Sequence, residues 1–234
     1  MFGSANTAAP SQLPFASSAK SNLTKLLNRH NKNLDRVMTT SETISDVANI
    51  ESGQKRQSNE VHNSIPCWLY RELRSDQAGE AGAVAIYQGI LAVSRNEDVR
   101  RFAKAHLETE KRHLKVINGL CPDSQQSMLV PLWRICGFLT GAIPAAFGAK
   151  AVFVTIDAVE TFVDRHYMKQ IGRLASEPSL REVREILESC HADELNHRDE
   201  ARALHKHRIG SIPRAWQRII GAGSALAVLI ARRI

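Results

Sequence analysis

Apolar positions recur at helical spacing along most of the chain after Ser75, and segments that favour strands are few. Breaks in this pattern fall at Cys121-Pro122-Asp123, Pro144, Glu177-Pro178 and Ser211-Ile212-Pro213. The pattern predicts an all-α fold, with helices at about 78–95, 97–119, 130–147, 149–175, 179–207 and 213–233.

The first 63 residues differ from the rest of the chain. They are rich in Ser, Asn, Ala and Thr, they show no sustained apolar period, and they contain no acidic residue before Asp35. Basic residues alternate with leucines between positions 20 and 32, which is typical of mitochondrial transit segments. We therefore predict a disordered transit region at 1–63 and a folded helical domain at 70–234, with a plain disordered tail as the alternative for the first segment.

Two of the predicted helices are unusually apolar. Residues 130–149 carry a single charge, Arg134, with Trp133 near the start and Pro144 inside; residues 219–231 form an apolar run flanked by arginines. Neither segment predicts a transmembrane span, because the first is interrupted and the second is too short. Their tryptophan and arginine margins favour helices that lie in the membrane interface. A buried core helix or an oligomer contact is the alternative.

Charge and cysteine usage narrow the functional classes. The formal net charge is +7, but much of the basic excess lies in the N-terminal segment and at the C-terminal end, so nucleic-acid binding is not favoured. The cysteines lie far apart and form no CxxC pair, which indicates neither a zinc knuckle nor a disulfide framework. We interpret them as reduced thiols that pack as small buried apolar residues. They are Cys67, Cys121, Cys136 and Cys190.

Two Glu-x-x-His motifs point to metal chemistry. Glu110 precedes His113 by three residues, and Glu194 precedes His197 by the same spacing, so each pair shares one helix face. One such motif is weak evidence, and we interpret a third match at 188–191 as incidental.

A lone glutamate precedes each motif and strengthens the pattern. Glu80 lies thirty residues before Glu110, and Glu160 lies thirty-four before Glu194, both among small or apolar neighbours. Two antiparallel helix pairs built in this way would offer four carboxylates and two imidazoles, the ligand set of ferritin-like di-iron or di-manganese bundles. Imidazole suits iron. The alternative is two exposed motifs with unrelated buried glutamates.

Five segments, in this order, share their pattern with a known family. They are Asp76–Ala83 with Ile86-Tyr87, Glu110–Leu114, Pro131–Trp133, Ala158–Glu160 with His166-Tyr167 and Gln170-Ile171, and Asp193–His197. From about Arg71 to its C-terminus the chain resembles the 5-demethoxyubiquinone hydroxylases, the di-iron monooxygenases of ubiquinone biosynthesis.

The resemblance implies a ferritin-like four-helix bundle with a di-iron centre and two additional apolar, membrane-interface helices. It implies hydroxylation of a polyprenyl demethoxybenzoquinone with O2 and NADH as co-substrates, at the matrix side of the mitochondrial inner membrane. Other ubiquinone-biosynthesis proteins, including a lipid-binding accessory protein, are the implied partners. The implied ligands of the two iron ions are Glu80, Glu110, His113, Glu160, Glu194 and His197, with Glu110 and Glu194 bridging.

Further roles follow from the same resemblance. His166 and Tyr167 would relay electrons or protons beside the site, with a structural hydrogen-bonded pair as the alternative. Asp193 and Asp76 would hold an imidazole or a nearby cation, and Arg74 would pair with one of them.

Two positions depart from the family pattern: Gln77 replaces a usual His, and Ala81 replaces a frequent Tyr. We expect these changes to affect the substrate pocket but not the metal ligands. Two other functional classes remain open from the sequence. One is a ferritin-like iron-storage protein, and the other is a membrane scaffold of a quinone-biosynthesis complex.

Overall fold

The computed structural model describes residues 65–205 and 210–234, and the predicted all-α fold is confirmed for this part of the chain. The helices are α1 Cys67–Val93, α2 Glu97–Leu120, α3 Val130–Ala146, α4 Ala149–Leu174, α5 Arg181–His205 and α6 Ser211–Ala231. Short 3-10 helices at Asp123–Gln125 and Pro178–Leu180 lie in two of the connections. The predicted transit region at 1–63 lies outside the described residues.

Helices α1, α2, α4 and α5 form the bundle. Three residues, 94–96, connect α1 to α2, and such a short connection makes the two helices antiparallel neighbours. The side chain of Asn96 caps α2 by accepting a hydrogen bond from the backbone N–H of Val99. Residues 175–180 connect α4 to α5 in the same way. The predicted ferritin-like arrangement of two helix pairs is therefore present.

Two apolar clusters fill the interior of the bundle. One includes Tyr87, Phe102 and Phe153, and the other includes Leu73 and Leu187. Along each of the four helices a buried glutamate lies between residues of the two clusters. The apolar layers therefore enclose a polar layer and separate it from water.

Helix α3 packs against α1 through glycines. A Cβ atom added to Gly137 would lie 2.3 Å from the carbonyl oxygen of Gly82, and one added to Gly141 would lie 1.9 Å from that of Ile86. Gly89 of α1 makes the reciprocal approach to the Phe138 carbonyl oxygen, where a Cβ would lie at 2.1 Å. The two backbones approach so closely because these positions carry no side chain.

Helix α6 is fixed to α4 by polar contacts. The indole N–H of Trp216 donates to Thr155 at 2.7 Å, and the Gln217 amide donates to Asp157 at 3.3 Å. Both α3 and α6 nevertheless leave large apolar side chains exposed. These include Leu132, Ile135, Leu139, Ile143, Ile219, Leu226 and Leu229. Within residues 65–205 and 210–234, no helix has the length and apolar character needed to cross a membrane.

The sequence-based boundaries were wrong at the start of α1. This helix begins at Cys67, directly after Pro66, and not near residue 78. Charged residues in its first turns interrupt the apolar pattern, so the sequence did not reveal Leu69 and Leu73 as core positions. Both are completely buried, one turn apart. Residues 206–207, predicted to end α5, lie outside the described residues.

Other side chains differ from expectation in their surroundings. Cys121 and Cys190 are buried as predicted, but Cys67 and Cys136 are exposed because they lie at a helix start and on the outer part of α3. Trp133 is half-exposed near the start of α3, and its indole N–H donates to Ser127 at 3.3 Å.

Candidate metal centre

The structure brings all of the predicted metal ligands into the polar layer of the bundle. Helices α1 and α4 each contribute one glutamate, whereas α2 and α5 each contribute a Glu-x-x-His pair. Every one of these side chains is buried, with exposed fractions between 1 and 4%. They are Glu80, Glu110, His113, Glu160, Glu194 and His197.

The ligand atoms form two overlapping groups, and within each group they lie no more than 4.8 Å apart. One group contains Glu80 and His113, the other contains Glu160 and His197, and both contain Glu110 and Glu194. Each imidazole turns its Nδ1 atom inward: that of His113 lies 2.9 Å from Glu194, and that of His197 lies 3.0 Å from Glu110. Two shared carboxylates between two groups are the geometry of a dinuclear site with two bridging ligands.

Unpartnered polar atoms show that these residues fit a pair of cations. Both carboxylate oxygens of Glu110, one oxygen of Glu80 and Nδ1 of His197 are buried without a hydrogen bond, since the 3.0 Å contact of His197 with Glu110 is an ion pair that lacks hydrogen-bond geometry. A buried carboxylate that lacks a partner is costly, and a coordinated ion removes this cost. The donor set of carboxylate oxygen and imidazole nitrogen suits iron or manganese.

The charges of the centre are strongly coupled. Burial, reinforced by the neighbouring carboxylates Glu110 and Glu194, raises the pKa of Glu160 well above its usual value. Burial also raises the pKa of Glu80, although the nearby His113 opposes this. Burial alone would lower the pKa of His197, but its contacts with Glu110 and Glu194 raise it to about 11. Without metal the centre therefore retains protons, and metal binding must displace them.

The α1–α2 pair and the α4–α5 pair are the two halves of the bundle. A tyrosine from each half contacts the lone glutamate of the other half. The Tyr167 hydroxyl donates to Glu80 at 2.7 Å, and the Tyr87 hydroxyl donates to Glu160 at 3.4 Å. Each tyrosine follows the glutamate of its own helix by seven residues, so the halves repeat this feature too. Burial raises the pKa of both phenols, which keeps them protonated as donors. Tyr87 had no predicted role, although its repeated spacing from a glutamate was a usable signal in the sequence.

His166 contacts a chain of polar groups instead of the ligands. Its Nε2 lies 2.8 Å from Asp76, and the Gln170 amide donates to the same carboxylate at 2.8 Å and to Glu72 at 3.2 Å. Asp76 therefore orients His166 and not a ligand imidazole. The expected pairing of Arg74 with an aspartate was wrong, because its guanidinium donates to Gln125.

Asp193 contacts the imidazole of a predicted ligand, as we expected. Its Oδ2 lies 3.2 Å from Nε2 of His113, whose Nδ1 turns to the centre. Such a partner fixes the tautomer and the orientation of a metal-binding histidine.

We expect Asp193→Asn to lower metal affinity or turnover about 10- to 100-fold, since an amide is a weaker and orientation-dependent acceptor. Metal titration of the stripped protein measures this, and Asp199→Asn, an exposed aspartate on the same helix, is the matched control. Equal affinity in both variants would show that Asp193 does not act through His113.

His106 is a second neighbour that the sequence did not reveal. Its ring packs edge-on against His197 with centroids 4.0 Å apart, and its Nε2 lies 2.9 Å from Glu200. Burial and the neighbouring His197 lower the pKa of His106 to about 3, so it is a neutral imidazole. The match at 188–191 belongs to neither ligand group, and His191 instead contacts Asp164 at 2.8 Å.

An apolar cavity of about 530 Å³ opens onto the centre. Its polar end is formed by all of the lone and shared glutamates, and its walls come from α1, α3, α4 and α6, with Trp133, Ile219 and Leu226 among them. The substituted positions Gln77 and Ala81 are buried and do not line this cavity, so their effect on the pocket stays a prediction. Gln77 instead donates to Gln126 at 3.3 Å.

Comparisons with known proteins identify a family to which the chain is similar in sequence. Residues 68–231 match the family model described as "Ubiquinone biosynthesis protein COQ7". The 3-demethoxyubiquinol 3-hydroxylase of Rhodospirillum rubrum is 35% identical over 167 residues, covering 70% of this chain and 77% of the relative. The mitochondrial NADPH-dependent 3-demethoxyubiquinone 3-hydroxylase of Mus musculus is 32% identical over 167 residues, covering 70% and 76%. The mitochondrial 5-demethoxyubiquinone hydroxylase of Saccharomyces cerevisiae is 30% identical over 151 residues, covering 57% and 65%. The chain therefore belongs to the COQ7 family of hydroxylases in ubiquinone biosynthesis.

Proposed function

We propose that this protein hydroxylates the ring of a polyprenyl demethoxybenzoquinone, or of its quinol, at a dinuclear iron centre. The observation that carries the proposal is the pair of ligand groups that share Glu110 and Glu194 at the end of an apolar cavity. The names of the relatives supply the substrate class, and the cavity is of a size and character that suit an apolar ring.

The residues of the chain have separate roles in this proposal. The six ligand side chains of the centre would hold two iron ions. When bound, these ions supply the activation of dioxygen, which protein side chains alone do not provide. The two tyrosines orient Glu80 and Glu160, and Asp193 orients His113. The apolar layers above and below the centre exclude water from it.

His166 and Tyr167 are proposed to carry protons or electrons between the solvent side and the centre. The hydroxyl of Tyr167 contacts the ligand Glu80, and His166 adjoins a polar chain that ends at the half-buried Glu72. The electrons would come from a reduced nicotinamide nucleotide. The resemblance implied NADH, whereas the mammalian relatives are named NADPH-dependent. The test therefore compares NADH with NADPH as the electron donor.

We also propose a peripheral location at the matrix side of the mitochondrial inner membrane. The exposed apolar side chains of α3 and α6 support contact with a bilayer, from which a polyprenyl quinone would enter the cavity. Several eukaryotic relatives are named mitochondrial. Other ubiquinone-biosynthesis proteins, including a lipid-binding accessory protein, are proposed as partners that deliver the quinone.

The test is metal analysis of the full chain purified in mild detergent, followed by turnover with a short-chain demethoxyquinone. We expect about two irons per chain, as the ligand set requires, and a product heavier by one oxygen atom in the presence of O2 and either NADH or NADPH. Labelling from ¹⁸O2 should appear in the product. Bound iron whose oxidation is indifferent to the quinone would instead indicate a storage protein, and a chain without iron would indicate a scaffold.

A further inference from the structure

A second cavity, of about 860 Å³, lies between α4 and α6 and is strongly basic. Helix α4 contributes Arg165 and Lys169, one turn apart, and α6 contributes Arg214 and Arg218 with the same spacing. All four side chains are exposed, so they form two facing rows of cations. We call this cavity the basic groove.

The four cations lack anionic partners in the part of the chain that the structure describes. Arg165 and Arg214 donate only to backbone carbonyl groups, those of Thr161 and Gly210. No carboxylate of residues 65–205 or 210–234 forms an ion pair with Lys169 or Arg218. Positive charge concentrated in a concave surface attracts anions more strongly than isolated surface charges do.

The remaining charges of the groove are already paired. Arg202 forms an ion pair with the buried carboxylate of Asp157, which also accepts from His205, and Arg232 pairs with Glu72. Asp157 is the only carboxylate that lines the groove as described, and it is occupied. The groove therefore has a surplus of positive charge that neighbouring side chains do not neutralise.

The position of the groove indicates which anion it takes. Ile219 follows Arg218 directly, and the same helix exposes Leu226 and Leu229, with exposed fractions of 61, 57 and 47%. Cations beside exposed apolar side chains match the phosphate and acyl regions of a phospholipid, respectively. A soluble phosphate compound would have no use for the apolar side chains.

We propose that the basic groove is a binding site for the phosphate headgroup of an anionic phospholipid. The proposal rests on the proposed membrane association and adds a lipid preference and a defined orientation to it. With a headgroup in the groove, the exposed apolar residues of α6 point into the acyl region, and the mouth of the quinone cavity, lined by Ile219 and Leu226, lies beside the bilayer.

The experiment measures partitioning of the full chain onto vesicles of neutral phosphatidylcholine, with and without anionic phosphatidylglycerol. The test variants are Arg165→Gln with Lys169→Gln, and Arg214→Gln with Arg218→Gln. The control, Arg95→Gln with Lys104→Gln, removes two exposed cations outside the groove. All variants keep the N-terminal segment, so its basic residues contribute equally. Thermal unfolding of each variant verifies folding.

We expect each groove variant to lose about 25-fold in partitioning onto anionic vesicles, since a basic residue near such a surface contributes about fivefold. The control should change little. Equal losses in groove and control variants would overturn the site, because they would indicate net charge alone. Binding of inorganic pyrophosphate to the wild type and to each variant is measured in parallel. If the groove variants lose pyrophosphate binding but partition onto vesicles as the wild type does, the site takes a soluble ligand and the proposal is overturned. Wild-type protein that binds neutral and anionic vesicles equally would refute only this inference, whereas failure to bind either would refute the membrane association itself.

Discussion

Glu110→Ala should remove both metal ions and reduce turnover by more than about 100-fold. Loss of a residue that only supports a metal ligand reduces activity by up to about 100-fold, and loss of a ligand itself should cost more. Glu110 belongs to both ligand groups, and both of its oxygens lack hydrogen-bond partners in the structure. If Glu110 bridges the two ions, its removal takes a ligand from both of them at once. Iron per chain, measured after anaerobic loading and desalting, should fall from about two to well below one.

Two further variants make this prediction quantitative. Glu160 belongs to one ligand group, so Glu160→Ala should retain about one ion per chain while still abolishing turnover. Glu188→Ala is the matched control, because this glutamate also precedes a histidine by three residues but is exposed and outside both groups. We expect its iron content and turnover to equal those of the wild type. If Glu110→Ala and Glu160→Ala lose the same amount of iron, the bridging role of Glu110 is wrong.

The metal centre could be predicted from the sequence because the pattern of its predicted ligands occurs twice. Each half presents a lone glutamate and a Glu-x-x-His motif in the same order, and helical geometry alone places each motif on one face. The structure brings these six side chains together. Their role as metal ligands stays a prediction until metal is measured.

The supporting residues were harder to find for a physical reason. His106 contacts His197 on another helix pair, and the sequence does not encode which helix faces which. Tyr87 also acts across helix pairs, and only its repeated spacing from a glutamate indicates it in the sequence. Arg74 illustrates the opposite error. The resemblance implied an ion pair of Arg74 with Asp193 or Asp76. The 3-10 helix at Asp123–Gln125 instead offers better-placed acceptors, since Arg74 reaches both the carbonyl and the side-chain oxygen of Gln125.

The fold was predictable to the level of helices and not to their contacts. Apolar periodicity located the six helices but missed the first turns of α1, where charged residues alternate with the buried Leu69 and Leu73. The close packing of α1 against α3 depends on single glycines whose neighbours lie about fifty residues away. Periodicity within one helix carries no information on such contacts.

Gly141→Ala should destabilise the domain by about 2 kcal/mol, near the middle of the range for overpacked interiors. The added Cβ would lie 1.9 Å from the carbonyl oxygen of Ile86, and a helix backbone does not move aside as a flexible side chain does. In a helix, alanine is more favourable than glycine by about 1 kcal/mol. The expected loss of about 2 kcal/mol in the free energy of unfolding already includes this opposing gain. Thermal or urea unfolding measures the change.

Gly119→Ala is the control for that gain, because Gly119 lies in α2 with no atom within 4 Å of its added Cβ. It should raise the free energy of unfolding by up to about 1 kcal/mol. No proposed ligand lies on α3, so Gly141→Ala should also keep both metal ions while its quinone turnover falls, because α3 forms a wall of the cavity. A Gly141→Ala protein as stable as Gly119→Ala would contradict the close approach of α1 and α3. Loss of metal from a folded Gly141→Ala protein would show that the spacing of these two helices also sets the position of Glu80.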